Sequence, residues 1–81
     1  MQKRIFTQNQ DSTKTDKAGR VIGYVGIINV WPGTENEFWV KVQSTRNGTS
    51  FGASQSQRKF ADLGEAKVFI EKTMVERLAK I

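Results

Sequence analysis

The chain has no cysteine, no histidine and a single proline among its 81 residues. Without cysteine there are no disulfides to staple the fold and no thiolate metal sites, so a reducing compartment is allowed. Catalysis at neutral pH usually recruits histidine, an activated cysteine, or paired carboxylates in unlike environments. The first two are missing here, and the carboxylates outside the C-terminal segment, Asp11, Asp16, Glu35 and Glu37, sit in or beside polar stretches that leave them solvated. Ser44, Ser50, Ser54 and Ser56 have no histidine to activate them. The glycines match neither a phosphate-loop nor a dinucleotide fingerprint, and no metal-ligand spacing occurs. The expectation is a protein that is not an enzyme, with no catalytic residues, no cofactor and no metal.

Long apolar runs are absent too. The longest is Val25-Gly26-Ile27-Ile28-Asn29-Val30-Trp31, far short of the ~20 residues that span a bilayer. Met1-Gln2-Lys3-Arg4-Ile5-Phe6-Thr7 has a basic start but no apolar stretch behind it, so it does not read as a signal peptide. No membrane association and a cytoplasmic location are expected. At this length one domain with one core is the limit, burying only about 60% of the unfolded surface.

What is present is positive charge, a formal +5 unevenly placed. Residues 1–20 carry five cations against two carboxylates, residues 21–61 carry four against two, and residues 62–81 balance at four each. The excess therefore lies in the leading arm and the strand region, where an anionic partner would be met. An ordinary soluble surface carries a net charge of this size as well.

Residues 7–19 contain no large apolar side chain and cannot offset the entropy of ordering by burial, so residues 1–19 read as a flexible basic N-terminal arm. Ile5 and Phe6 leave room for a short extra edge strand. Residues 20–31, rich in Val, Ile, Tyr and Trp, read as the first strand of the sheet, with Gly23 and Gly26 marking a bulge or a close approach by another backbone. Pro32-Gly33 makes a turn. Residues 37–45 then alternate, placing Phe38, Val40 and Val42 on one face and Trp39, Lys41, Gln43 and Thr45 on the other. Asn47-Gly48 signals a type I′ turn, and residues 50–60 follow as a polar third strand. Asp62 and Glu65 have capping-box spacing. Leu63, Ala66, Ile70, Met74, Leu78 and Ile81 then recur at helical spacing, a stripe fit to cover Phe38, Val40 and Val42. The expected fold is α+β: a single βββα domain over 20–81, with a three-stranded antiparallel sheet and one C-terminal helix on one face.

This layout resembles the AP2-type DNA-binding fold shared by plant AP2/ERF domains and the arm-binding domains of phage-type integrases. Tyr24-Val25-Gly26-Ile27 is similar to the family's Tyr-Arg-Gly-Val, Phe38-Trp39-Val40-Lys41-Val42 resembles its second strand, and Phe60 followed by Glu65-Ala66 is similar to its junction into the helix. The resemblance covers residues 20–80. It implies that the sheet face opposite the helix meets the major groove of duplex DNA. Val25, Ile28, Val30, Ser54 and Ser56 stand where the family carries arginine or tryptophan. The residues left to meet nucleic acid are Arg20, Lys41, Gln43, Arg46, Arg58 and Lys59, mainly through phosphates, with Gln43 able to pair with adenine. If Ile28, Val30 and Trp39 share that face, they form an apolar patch that needs cover. The alternative function is then a protein-interaction or inhibitor module of the kind mobile genetic elements encode, homodimeric or bound to a protein target. An aromatic sheet face also suits stacking of single-stranded bases.

Overall fold

In the computed structural model, residues 2–33, 36–52 and 57–80 are described. Five strands and one helix follow in order: β1 (Lys3–Thr15), β2 (Val21–Val30), β3 (Phe38–Arg46), β4 (Thr49–Ser50), β5 (Arg58–Phe60) and α1 (Leu63–Ala79). The first three form an antiparallel meander, and β4 and β5 both pair with the outer side of β3. The fold is thus α+β, an antiparallel sheet with one C-terminal helix packed against it.

The leading arm is corrected by the structure. Residues 3–15 are not a flexible arm but a 13-residue edge strand hydrogen-bonded along β2. Its Thr, Gln, Asn and Ser side chains bury little, and the order comes from the backbone ladder and from Phe6, which packs on the core. The strand is interrupted between Arg4 and Phe6 and between Asp11 and Thr15. Such irregularities bend an edge strand and raise its twist.

The core lies between the sheet and α1. Ile28, Val40, Val42, Ala66, Ile70 and Met74 are buried together, flanked by Phe6, Tyr24, Phe38, Phe60, Leu63 and Phe69. Gly26 sits at the closest approach of β2 and α1: a Cβ there would run into the side chain of Ile70. The glycines that sequence reading associates with distortion mark close approaches, and the bulges themselves fall on β1. Helix α1 begins with one half of the capping box its sequence signals, Asp62 standing in extended conformation with its Oδ2 accepting from the Glu65 N–H at 3.0 Å. Asn47 and Gly48 both have positive φ, at 54° and 82°, as a type I′ turn demands.

The third strand differs from expectation. Pairing to β3 occurs in two short pieces, Thr45 with Ser50 and Arg46 with Thr49 at one end, Phe38 with Phe60 through Val40 with Arg58 at the other. Gly52, at φ 88°, turns the chain away after Phe51. Glu35, Ser54, Gln55, Ser56 and Ile81, all assigned places by the sequence reading, lie outside the described residues. Among the described residues no helix is long and apolar enough to cross a membrane.

Candidate nucleic-acid interface

Strand alternation and helix contacts decide which face each side chain occupies. Ile28 is fully buried against α1 in the core, and Val30, two residues on, has the same parity, whereas Trp39 pairs with Asn29 on the other face. Ile28, Val30 and Trp39 therefore do not share a surface, and the apolar patch inferred for the face away from the helix is corrected. The period-2 pattern was legible, but the choice of face rested on where α1 lands, which Gly26 decides by admitting Ile70.

The face away from the helix is closed rather than open. Val25, Ile27, Gln43 and Thr45, whose pairing places them there, are 6%, 4%, 8% and 1% exposed. Gln2 and Gln57 exchange amide hydrogen bonds of 2.9 and 3.3 Å, although β1 and β5 stand on opposite sides of the β2–β3 pair. Alternation from Arg4 and Lys59 assigns both amides to this face, so the sheet curls until its edges meet over it. The Trp39 indole Nε1 is buried there without a hydrogen-bond partner. Gln43, the residue suited to pairing with adenine, is accordingly covered and not presented to a groove.

The remaining expected contacts gather along the outer edge of β3. Lys41 lies between the two short partners, and a cavity of about 170 Å³ at that gap is lined by Val40, Lys41, Val42, Arg58, Phe69, Thr73 and Arg77. Arg58 is on the helix side of the sheet, not the opposite one: its guanidinium stands 5.5 Å from the Phe60 ring centroid and 5.2 Å from that of Phe69, and the two rings are themselves 5.1 Å apart. Arg77, from the last turn of α1, stands 5.8 Å from the Tyr24 ring. Among the described residues no carboxylate pairs with Lys41, Arg58 or Arg77. Lys59 differs, at 3.5 Å from Glu37 Oε1.

A second cationic group closes one end of this edge. Asp16 ties the β1–β2 loop: its Oδ1 accepts from the Ala18 and Arg20 N–H groups at 2.9 Å each, and its Oδ2 accepts from Arg20 Nε at 2.9 Å. Arg46 Nε is 3.3 Å from the same Oδ2, an ion pair without hydrogen-bond alignment. The backbone hydrogen bond from Arg20 is the main reason that the Asp16 carboxyl titrates below its ordinary range. The Arg20 and Arg46 guanidiniums also stand 4.9 and 4.7 Å from the ring centroid of Phe51, which is 42% exposed. The structure brings together Arg20 and Arg46, 26 residues apart in sequence, and adds two members that sequence reasoning missed, Phe51 and Arg77. Phe51 had a signal, an isolated aromatic in a polar stretch. Arg77 had none, because only the landing of α1 sets it beside β3.

From Trp39 to Arg46 this edge runs about 24 Å at ~3.4 Å per residue. It presents cations over aromatic rings, an arrangement suited to phosphates and to flat π systems. No family model, no curated protein and no solved structure matches this chain.

Proposed function

We propose that this protein is a non-enzymatic nucleic-acid-binding module that holds the phosphate backbone of duplex DNA along the outer edge of β3. The observation that carries this reading is the groove at the β3 edge, which Lys41, Arg58 and Arg77 line with no carboxylate partner among the described residues. Arg20 and Arg46 extend it, sharing the one carboxylate of Asp16. Cations left unbalanced over a preformed groove are a standing electrostatic potential for a polyanion. The AP2-like order of strand, strand and helix supports the class of partner; the surface proposed is the strand edge in place of the sheet face, because that face is closed by its own side chains.

Phosphate contacts of this kind position a protein without reading bases. With Gln43 covered, the module distinguishes sequences weakly. The test is binding to labelled duplex DNA over a range of ionic strength. About four net positive charges on this edge should give a slope of log affinity against log salt near −3.6. A flat dependence, or no binding at low salt, removes the reading.

A further inference from the structure

Where α1 ends, the helix side of the sheet carries an aromatic row that phosphate contacts alone leave unused. Ile70 of α1 meets Gly26 of β2 and Arg77 stands at Tyr24, so the helix runs toward the Arg46 end of the sheet and stops two residues past Arg77. Register continues the row outward. Tyr24 pairs with Ser44, and the Phe51 N–H donates to the Ser44 carbonyl oxygen at 3.0 Å. Alternation sets Tyr24, Ser44 and Phe51 on the helix side together with Arg46. Tyr24 and Phe51 thus lie two strand spacings apart, about 10 Å, with only a serine between them.

Three guanidiniums complete this surface, Arg77 at the Tyr24 ring and Arg20 and Arg46 at the Phe51 ring. Arg46 is held in place by Asp16 Oδ2 and by donating from its own Nη1 to the Thr45 carbonyl oxygen at 2.9 Å. Little side-chain freedom remains to be lost there when a ligand arrives. The open members are Phe51 and Arg20, whose side chain is 42% exposed. Aromatic rings and guanidinium planes are the groups on which unpaired bases stack.

We propose that Phe51 and Arg20 stack an unpaired nucleobase that has swung out of, or trails from, a duplex whose phosphates lie along β3. The inference rests on the DNA reading above and names what the Arg46 end of that edge meets. Arg46 belongs both to the edge and to the aromatic row, so the phosphates beside the displaced base stay in reach of a cation. Bases inside a continuous duplex are closed to the ring by their neighbours, and extracting one costs unstacking and unpairing energy. A base that is already unpaired avoids that cost. The module therefore favours interrupted DNA, a bulge or a junction with single strand, over continuous duplex, and does so without reading sequence, since every base has a π face.

The experiment compares two duplexes with the same number of phosphates, one carrying a single bulged adenine and the other an abasic residue at that position. Only the base differs, so counterion release is matched. The native protein should bind the adenine bulge about 10-fold more tightly than the abasic one, and 2-aminopurine in the bulge should be quenched on binding. Phe51→Ala, with folding verified by circular dichroism, should bring the two affinities together, and Phe51→Trp should keep them apart. Equal binding of the two bulges by the native chain, or a preference that survives Phe51→Ala, overturns the proposal and leaves the duplex reading standing. Binding of neither bulge nor of the continuous duplex at low salt overturns both.

Discussion

Asp16 shows how one side chain can hold a loop and poise two cations. Its carboxylate accepts two backbone N–H groups and one guanidinium N–H, and the ionised form is the one those donors favour. A carboxyl whose folded value is depressed adds stability that is complete above its unfolded value and disappears as pH falls through the folded one. Unfolding by urea at a series of pH values should therefore show the native protein losing stability below about pH 4. Asp16→Asn should be less stable at neutral pH and show a flatter profile over that acid window. At Gly26 the argument is steric. Gly26→Ala places a methyl group against Ile70, and overpacking of this kind costs about 1–3 kcal/mol, read as a lower urea midpoint at constant slope. Gly26 was legible in sequence as either a bulge or a close approach by another backbone, whereas what arrives is the Ile70 side chain, because nothing local identifies which part of α1 lands there. The same holds for Ile28 and Trp39: their opposite parity is plain in the strand pattern, and their environments follow only from the helix.

The elements divide by how much of their stability is local. Helix α1 announces itself through its cap and its apolar stripe, and both are in place: Asp62 caps, and Ala66, Ile70 and Met74 are buried. Asp62→Ala should cost about 1 kcal/mol, the usual loss when an N-cap acceptor is removed. Strand β1 is the contrary case. An edge strand exposed on much of its surface has no need of a hydrophobic face, so the polar composition of residues 7–15 hid a ladder that depends on β2 for its existence. Deleting residues 1–8 tests this. A flexible arm can be lost at no cost, whereas removal of Phe6 and the Gln2–Gln57 clasp should lower stability by ~2 kcal/mol or more. Native-state hydrogen exchange offers an independent check, with amides of β1 that bond to β2 protected well above the level of an unstructured tail. The polar stretch after Gly48 was read as one strand for the opposite reason: the Asn47-Gly48 turn correctly signals a return along β3, but nothing in Phe51-Gly52 shows that the chain leaves the ladder and sets its aromatic ring against two arginines.

At the scale of the whole molecule, curling is the feature that separates the proposed interface from its sequence-level expectation. A flat three-stranded sheet would leave Lys41, Gln43 and Trp39 facing solvent beside each other. The bulged β1 and the Gln2–Gln57 pair bring the edges together, bury Gln43 at 8% exposure, and displace the accessible cations to the flank of β3. Lys41, Arg46, Arg58 and Lys59, picked out in the sequence by charge and position, all lie on β3 or on the short strand paired with it. Their common surface was not readable, because sheet curvature and helix placement are non-local. Arg77 was missed because the helix as a whole carries no net charge, and balance along an element says nothing about where one guanidinium projects. The most direct measurement compares the salt dependence of duplex DNA binding by the native chain with that of Lys41→Ala/Arg58→Ala/Arg77→Ala, with folding verified by circular dichroism. Loss of three phosphate contacts should flatten the log–log slope by ~2.7 and leave only weak binding at low salt. A folded triple variant that binds with the native affinity and the native slope would contradict the assignment of this edge to nucleic acid.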